Sequence, residues 1–143
     1  MSGIRAKNTK PELVLRRGLH RRGLRFRLHS SVVPGKPDLI FPKYNAALFA
    51  HGCFWHHHNC RLFKWPSSRK EFWRSKIARN VERDREVRAE LETTGWRVGI
   101  VWECALKGRA SLPLEVVLDS CEHWLLSDEA DLEIRGDEVR LSV

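Results

Sequence analysis

Residues 51–60 read HGCFWHHHNC, so one short segment holds four histidines, two cysteines and two adjacent large aromatic side chains. Cysteine and histidine at this spacing suit a bound metal. The Phe-Trp pair between them suits stacking on a flat partner, and the net charge of +8 indicates that this partner is a nucleobase. The segment therefore predicts metal binding beside nucleic-acid binding.

Three cysteines and one histidine can complete a closed tetrahedral zinc shell, which is usually structural and contributes to folding stability. The candidate zinc ligands are Cys53, His58, Cys60 and Cys104. The spacing also allows His56 or His57 in place of His58, and the alternative is that the cysteines are buried free thiols. Cys121 lies in a predicted amphipathic helix, where we expect an ordinary core residue.

A second set of residues suits phosphodiester hydrolysis. Asp38 follows Pro37 at the start of a predicted strand, and the partner strand of the same hairpin ends at His51. A carboxylate in this position can hold Mg²⁺ against a scissile phosphate, and a neighbouring histidine, His51 or His56, can move the proton. Glu12 is a further candidate acid. Taken alone, Pro-Asp more often marks only a turn.

Charge is distributed unevenly along the chain. The 143 residues include 26 Lys and Arg against 18 Asp and Glu. Most of the excess lies in residues 5–36 and 61–88, whereas residues 119–137 are acidic. This distribution predicts one electropositive face that follows phosphates. The alternative is a solvated basic surface without a partner.

The length of the chain predicts one domain over residues 1–143. No apolar run reaches membrane-spanning length, and the polar, basic start does not match a signal peptide. We therefore expect a cytoplasmic protein without a membrane partner.

Hydrophobic periodicity and turn residues predict the elements that must position these side chains. The prediction is a helix over 10–22, strands over 26–29, 38–41 and 46–50, a helix over 69–93, a strand over 96–102, a helix over 114–126 and a terminal hairpin over 132–143. Before that hairpin the order is α-β-β-β-α-β-α, which indicates an α/β fold with a mixed central sheet flanked by helices.

Four separate motifs resemble the very short patch repair endonuclease family, a group of bacterial DNA mismatch nickases with a restriction-endonuclease-like fold. They are PGKPD at 34–38, HGCFWHHH at 51–58, NVERDR at 80–85, and GWRV at 95–98 with VWECAL at 101–106. The matches follow the order of the family, and the resemblance covers nearly the whole chain. The resemblance implies a T:G mismatch in double-stranded DNA as substrate and a nick on the 5′ side of the thymine.

The same resemblance implies roles for individual residues. Asp38 would be the principal Mg²⁺ ligand, His51 and His56 would serve the metal's water and the attacking water, and His56 is the expected general base. The four zinc ligands would be the set already named: Cys53, His58, Cys60 and Cys104. Asn80 and nearby basic residues would contact DNA or the site.

An aromatic wedge is also implied. Phe54, Trp55 and Trp73 would insert into the duplex beside the mismatch. Unstacking a base step costs a few kcal/mol. A mismatched step needs less free energy to open, so the difference in unstacking free energy favours binding at the mismatch. The alternative for these aromatic side chains is core packing.

Two departures from the family bear on activity. Ala50 stands where the family usually has threonine, and this is tolerable if the backbone carbonyl of that residue is the Mg²⁺ ligand. If the hydroxyl orients water or phosphate, activity falls. The family also commonly carries a basic arm ahead of the position where this chain starts, so we expect a weaker hold on DNA.

The resemblance further suggests mismatch-repair proteins and a cytosine methyltransferase as partners, in a bacterial, nucleoid-associated setting. We expect a monomer, because one nick at an asymmetric lesion needs no twofold symmetry. Two other functions stay open. One is a restriction-like nuclease of the same fold that acts on other DNA. The other is a catalytically silent, zinc-containing DNA-binding module.

Overall fold

The computed structural model describes residues 9–142, without the side chain of Ser142. Four helices and six strands follow one another in these residues. They are α1 (Lys10–Arg21), β1 (Arg27–Leu28), β2 (Leu39–Phe41), β3 (Ala46–His51), α2 (Lys70–Thr93), β4 (Arg97–Trp102), α3 (Glu103–Leu106), α4 (Leu114–Leu126), β5 (Asp131–Arg135) and β6 (Glu138–Ser142). A single 3₁₀ turn, Pro42–Tyr44, joins β2 to β3.

The six strands form one mixed sheet in the order β1-β2-β3-β4-β5-β6. The pairs β1–β2, β2–β3 and β5–β6 are antiparallel, whereas β3–β4 and β4–β5 are parallel. Each parallel pair is joined through a helix, α2 in the first case and α4 in the second, because parallel neighbours need a crossover connection. The predicted mixed sheet flanked by helices is confirmed.

Alternation along the strands places apolar side chains on both faces of the sheet. One face packs against α1 and α4, in a cluster that contains Leu15, Leu48 and Trp124. The other face carries Ile40, Ala47 and Val98, which pack with Leu91 of α2. Helices therefore cover both faces, and the ends of the central strands are left to carry polar groups.

Trp124 of α4 is fully buried against the sheet because β4 has a glycine beneath it. A Cβ atom at Gly99 would lie 2.9 Å from the Trp124 ring, closer than real contacts allow. Cys121, one helical turn earlier, is also fully buried, which confirms it as a core residue. Burial raises the pKa of its thiol to about 12, so it stays protonated.

The strand boundaries differ from prediction at the edge of the sheet. β1 is two residues long instead of four, because His29 adopts a left-handed backbone with φ of 47° and ends it. The short helix α3 was not predicted. The predicted terminal hairpin is confirmed, with β5 and β6 paired across the turn. Across residues 9–142, no helix is both long enough and apolar enough to span a membrane.

Candidate active site and metal cluster

Glu12 enters the site from α1. Thr9 caps this helix by accepting the backbone N–H of Glu12 at 3.4 Å, as the capping pattern predicts. The Glu12 side chain is fully buried, and its Oε2 lies 2.6 Å from His29 Nε2 and 3.1 Å from Arg16 Nη1. A buried carboxylate requires such partners.

Asp38 completes the first polar cluster. One ligand atom each from Glu12, His29 and Asp38 lies within 4.8 Å of the others, so the three side chains converge. Asp38 Oδ2 accepts the backbone N–H of Ala50 at 2.7 Å, which ties the start of β2 to the end of β3. Burial, reinforced by the charge of Glu12, raises the pKa of Asp38 to about 7. A bound cation would favour the ionised carboxylate, and oxygen ligands are those that Mg²⁺ prefers.

His51 and His56 belong to a second polar cluster with Asp84. The two imidazole rings stack with their centroids 3.8 Å apart, and His56 Nδ1 lies 2.6 Å from Asp84 Oδ2. Burial, with the charges of His56 and His58, holds the pKa of His51 well below its ordinary value, so this ring is neutral at neutral pH. Among the described residues, nothing hydrogen-bonds the buried His51 Nδ1.

Helix α2 fixes the loop that carries His56. Asn80 Nδ2 donates to the carbonyl of Trp55 at 3.1 Å, and Asp84 holds the neighbouring His56. Asn80 and Asp84 are four residues apart on a helix, so they share one face. The sequence pointed to Asn80 but not to a role for Asp84, which is one carboxylate among many in a highly charged helix. His29 was missed as well, because no sequence signal connects it to Glu12.

The four predicted zinc ligands converge in the structure. One ligand atom each from Cys53, His58, Cys60 and Cys104 lies within 4.8 Å of the others. His58 Nδ1 is 3.5 Å from the Sγ atoms of both Cys53 and Cys104. His58, and not His56 or His57, is therefore the histidine of this cluster. We call these four residues the metal cluster.

The donor chemistry of the metal cluster fits zinc. Burial raises the pKa values of the Cys53 and Cys104 thiols, an unfavourable setting for thiolates unless a cation is bound. Burial also lowers the pKa of His58 to about 4, which keeps the imidazole neutral, as a metal ligand must be. Three sulfur donors and one nitrogen within one small sphere match a closed tetrahedral shell.

Neighbouring groups hold the metal cluster from two sides. Glu103 Oε1 accepts the backbone N–H of Cys53 at 3.1 Å. The backbone N–H of Gly136, in the turn of the terminal hairpin, donates to Cys104 Sγ at 3.2 Å. A Cβ atom at Gly136 would lie 2.7 Å from the Ala110 side chain, so only glycine allows this approach.

The predicted wedge residues lie together beside these clusters. The ring centroids of Phe54 and Trp55 are 5.0 Å apart, and Trp73 of α2 lies 5.5 Å from Phe54 and 5.7 Å from Trp55. All three side chains are half-buried, so they are neither core residues nor free in solvent. We call Phe54, Trp55 and Trp73 the wedge cluster.

A mixed sheet whose strand ends hold a carboxylate and stacked histidines, beside an aromatic and strongly basic surface, is the arrangement expected of a DNA endonuclease. Comparison with known proteins gives the same class. The sequence model of the family described as "DNA mismatch endonuclease Vsr" matches residues 1–62.

Relatives of this family match most of the chain. The chain is 44% identical over 141 residues to the DNA mismatch endonuclease Vsr of Escherichia coli strain K12, covering 99% of this chain and 90% of that protein. It is 47% identical over 112 residues to the type II nicking enzyme V.XorIIP of Xanthomonas oryzae, covering 78% and 82%. The type II nicking enzyme V.NmeAIP of Neisseria meningitidis is 44% identical over 110 residues. The chain belongs to the DNA mismatch endonuclease Vsr family.

Proposed function

We propose that this protein nicks double-stranded DNA on the 5′ side of the thymine in a T:G mismatch and so starts very short patch repair. One observation carries the proposal: the carboxylate and histidine clusters at the start of β2 and the end of β3 lie beside the half-buried wedge cluster. The similarity over 99% of the chain to a protein named as a mismatch endonuclease supports it.

Asp38 and the backbone carbonyl of Ala50 would hold Mg²⁺. The convergence of Asp38 with buried Glu12, and the raised pKa of Asp38, support a cation at this position. When bound, Mg²⁺ would neutralise the negative charge that develops on the phosphate and would lower the pKa of the water bound to it. Glu12 helps to place the hydrated ion. Using the Ala50 carbonyl requires no threonine hydroxyl, so the substitution is compatible with activity.

His56 acts as the general base. Its Nδ1 faces the Asp84 carboxylate, which places a proton on Nδ1 and leaves Nε2 as the acceptor. Asp84 therefore orients the ring and stabilises the imidazolium that forms when Nε2 takes a proton from the attacking water. The stacked His51 ring stays neutral and supplies a second nitrogen ligand or acceptor at the same edge.

The metal cluster holds structural Zn²⁺. Its role is to fix residues 53–60, which carry His56 and two wedge residues between the ligands. The wedge cluster then opens the base step at the mismatch, and Asn80 supports Trp55 through its carbonyl while its neighbours contact DNA. Unstacking costs least at a mismatched step, which gives the selectivity for T:G.

The remaining features follow from this function. We infer one restriction-endonuclease-like domain over residues 1–143, active as a monomer in the bacterial cytoplasm, where its DNA substrate lies. Mismatch-repair proteins and a cytosine methyltransferase are the proposed partners, since a nick must be processed and a T:G pair arises from a deaminated methylcytosine.

The direct test uses labelled duplexes that differ at one base pair. Incubation with Mg²⁺ should nick a T:G duplex before the thymine and leave the T:A duplex intact, and Asp38→Ala should nick neither. A wild-type protein that binds the T:G duplex but nicks it no faster than Asp38→Ala would overturn the proposal.

A second candidate is a nuclease of the same fold that cuts other DNA. The type II nicking enzymes among its relatives favour it, because their names state nicking without a mismatch. Equal nicking of the T:G and T:A duplexes would support this candidate against mismatch repair.

A further inference from the structure

Aromatic side chains continue beyond the wedge cluster along the chain that follows the metal cluster. Phe63 stacks on Phe54 with ring centroids 5.7 Å apart and planes at 22°. Trp65 meets Phe63 edge to face at 5.0 Å, and His57 contacts both rings, at 4.7 Å from Phe63 and 5.3 Å from Trp65. The wedge cluster is therefore part of a longer aromatic band.

Trp65 is the outermost ring of that band. It is 42% exposed, which is high for so large an aromatic side chain. Edge-to-face contacts with Phe63 and His57 hold the ring without burying it. The Arg74 guanidinium lies over the Trp65 ring at 6.0 Å from its centroid, and Arg74 is itself exposed.

Charge around the band identifies the kind of partner. Between residues 51 and 80 the chain carries seven Lys or Arg and one acidic residue, Glu71. Lys64 and Arg69 flank Trp65 in the sequence, and both are exposed. An exposed aromatic ring among exposed cations suits nucleic acid, because the ring contacts bases or sugars while the cations meet phosphates.

Distance puts Trp65 within reach of the nucleotides that flank the mismatch. From the two centroid separations, the Trp65 ring lies no further from Phe54 than about three base-pair steps at a rise of 3.4 Å. A ring there can reach nucleotides that flank the opened step while the wedge cluster occupies the mismatch itself.

We propose that Trp65, supported by Phe63 and His57 and paired with Arg74, is a second DNA-binding element that contacts nucleotides to one side of the mismatch. It contributes affinity for the flanking duplex and does not read the mismatch. This inference rests on the proposed function for the position of the DNA, and it adds a contact that the wedge cluster does not make.

The test compares Trp65→Ala with Trp65→Phe, using the full chain loaded with zinc. Leu126→Ala is the matched control, since this side chain is 62% exposed at the far end of α4. Binding is measured on T:G and T:A duplexes with long flanks, and on T:G duplexes cut back to two base pairs on one side or the other. Thermal unfolding and zinc content establish that each variant is folded.

We expect Trp65→Ala to weaken binding to both long duplexes by the same factor, about tenfold, the size of one lost stacking contact. The loss should disappear on one of the two truncated duplexes, because the contacted nucleotides are then missing. Trp65→Phe should recover most of the affinity, and Leu126→Ala should bind as the wild type does.

Three results would overturn the inference. The first is unchanged binding of Trp65→Ala to the long duplexes. The second is a loss that persists on both truncated duplexes, which would mean that Trp65 acts through the fold. The third is unchanged DNA binding with altered sedimentation of the free protein, which would make this surface a contact between copies of the chain. Failure of the proposed function would show separately, as wild-type protein that does not nick the T:G duplex in preference to T:A.

Discussion

Residues 51–60 contribute side chains to both the metal cluster and the catalytic edge, yet the two sites differ in chemistry. The metal cluster is made of soft donors, three sulfurs and one neutral imidazole, which close around a common centre. We use the name catalytic edge for the proposed catalytic residues Glu12, Asp38, His51 and His56. Its carboxylates and imidazoles come from α1, the residue before β2, the end of β3 and the following loop.

The difference between them concerns what burial achieves. In the metal cluster, burial excludes water from thiols that the proposed zinc ion would stabilise, so its binding would contribute to the fold. At the catalytic edge, burial brings two carboxylates together and raises the pKa of Asp38, which costs folding free energy until an ion is bound. The metal cluster would stabilise the loop, whereas the catalytic edge would keep its carboxylates in an unfavourable arrangement that is ready for the reaction.

The largest expected effect comes from the catalytic edge. Asp38→Asn keeps an oxygen that can accept the Ala50 N–H but removes the charge that would hold Mg²⁺. Nicking of a T:G duplex should fall at least about 1000-fold, the scale of several kcal/mol of lost charge stabilisation. Single-turnover nicking measures this rate. A variant that retains one tenth of the wild-type rate would contradict the assignment of Asp38.

Loss of the metal cluster should act on the fold before it acts on chemistry. Cys104→Ser is expected to abolish stable zinc binding and to lower the free energy of unfolding by about 3 kcal/mol or more. Metal analysis after dialysis and denaturant unfolding provide the measurements. Cys121→Ser, a buried cysteine outside the cluster, is the control that should retain one zinc per chain. If Cys104→Ser also retains it, the ligand set is wrong.

Asp84→Asn tests how the catalytic edge depends on α2. The amide can still contact His56 Nδ1, but it no longer fixes the tautomer or stabilises the imidazolium. The nicking rate should therefore fall by roughly 10- to 100-fold, while DNA affinity and zinc content stay constant. Glu86→Gln, an exposed neighbour on the same helix, should change nothing. A fall in DNA affinity that accounts for the whole rate loss would show a binding role instead.

The cost of burial at Asp38 predicts how stability depends on pH. In the metal-free protein its pKa is about 7 against an ordinary 3.8, so the folded state disfavours the ionised form. Stability is lost as the pH rises between these two values. Asp38→Asn removes this loss and should be about 1–3 kcal/mol more stable than the wild type at pH 8 in buffer without Mg²⁺. The difference should vanish near pH 4, and denaturant unfolding at both values would measure it. Equal stability of the wild type and Asp38→Asn at pH 8 would show that burial of Asp38 does not destabilise the fold, and the two regions would then not differ in this respect.

The smallest expected effect concerns selectivity. Trp55→Ala should weaken binding to a T:G duplex about fivefold more than binding to a T:A duplex, because the wedge cluster is used fully only where the step opens. Titrations of the two labelled duplexes give the ratio. Equal losses on both would mean that Trp55 only packs or contacts the backbone.

Local sequence was sufficient for most elements and for the metal cluster. Periodicity predicts α2 and α4 within a residue or so, because each has a clear stop or start signal in Gly95 or Pro113. The convergence of the four residues of the metal cluster was also predictable, since cysteine has few other reasons to recur in a polar loop. Residues whose roles depend on contacts with distant parts of the chain were harder to predict.

His29 and Asp84 show why. His29 reaches Glu12 only because β1 ends in a left-handed residue opposite the start of β2, a fact of backbone geometry that no periodicity reveals. Asp84 lies in a highly charged helix, where one carboxylate among many carries no distinguishing signal. Its role appears only when α2 packs over the loop at His56.

The hydrogen bond from the Gly136 turn to Cys104 Sγ has a consequence for the order in which the protein can mature on the ribosome. Cys104 is synthesised well after Cys60, and the hairpin that supports it comes later still. A nascent chain that has exposed Asp38 and the histidines therefore cannot yet close the loop that positions them. We therefore expect the metal cluster, and with it the position of His56, to form only when synthesis of the chain is nearly complete.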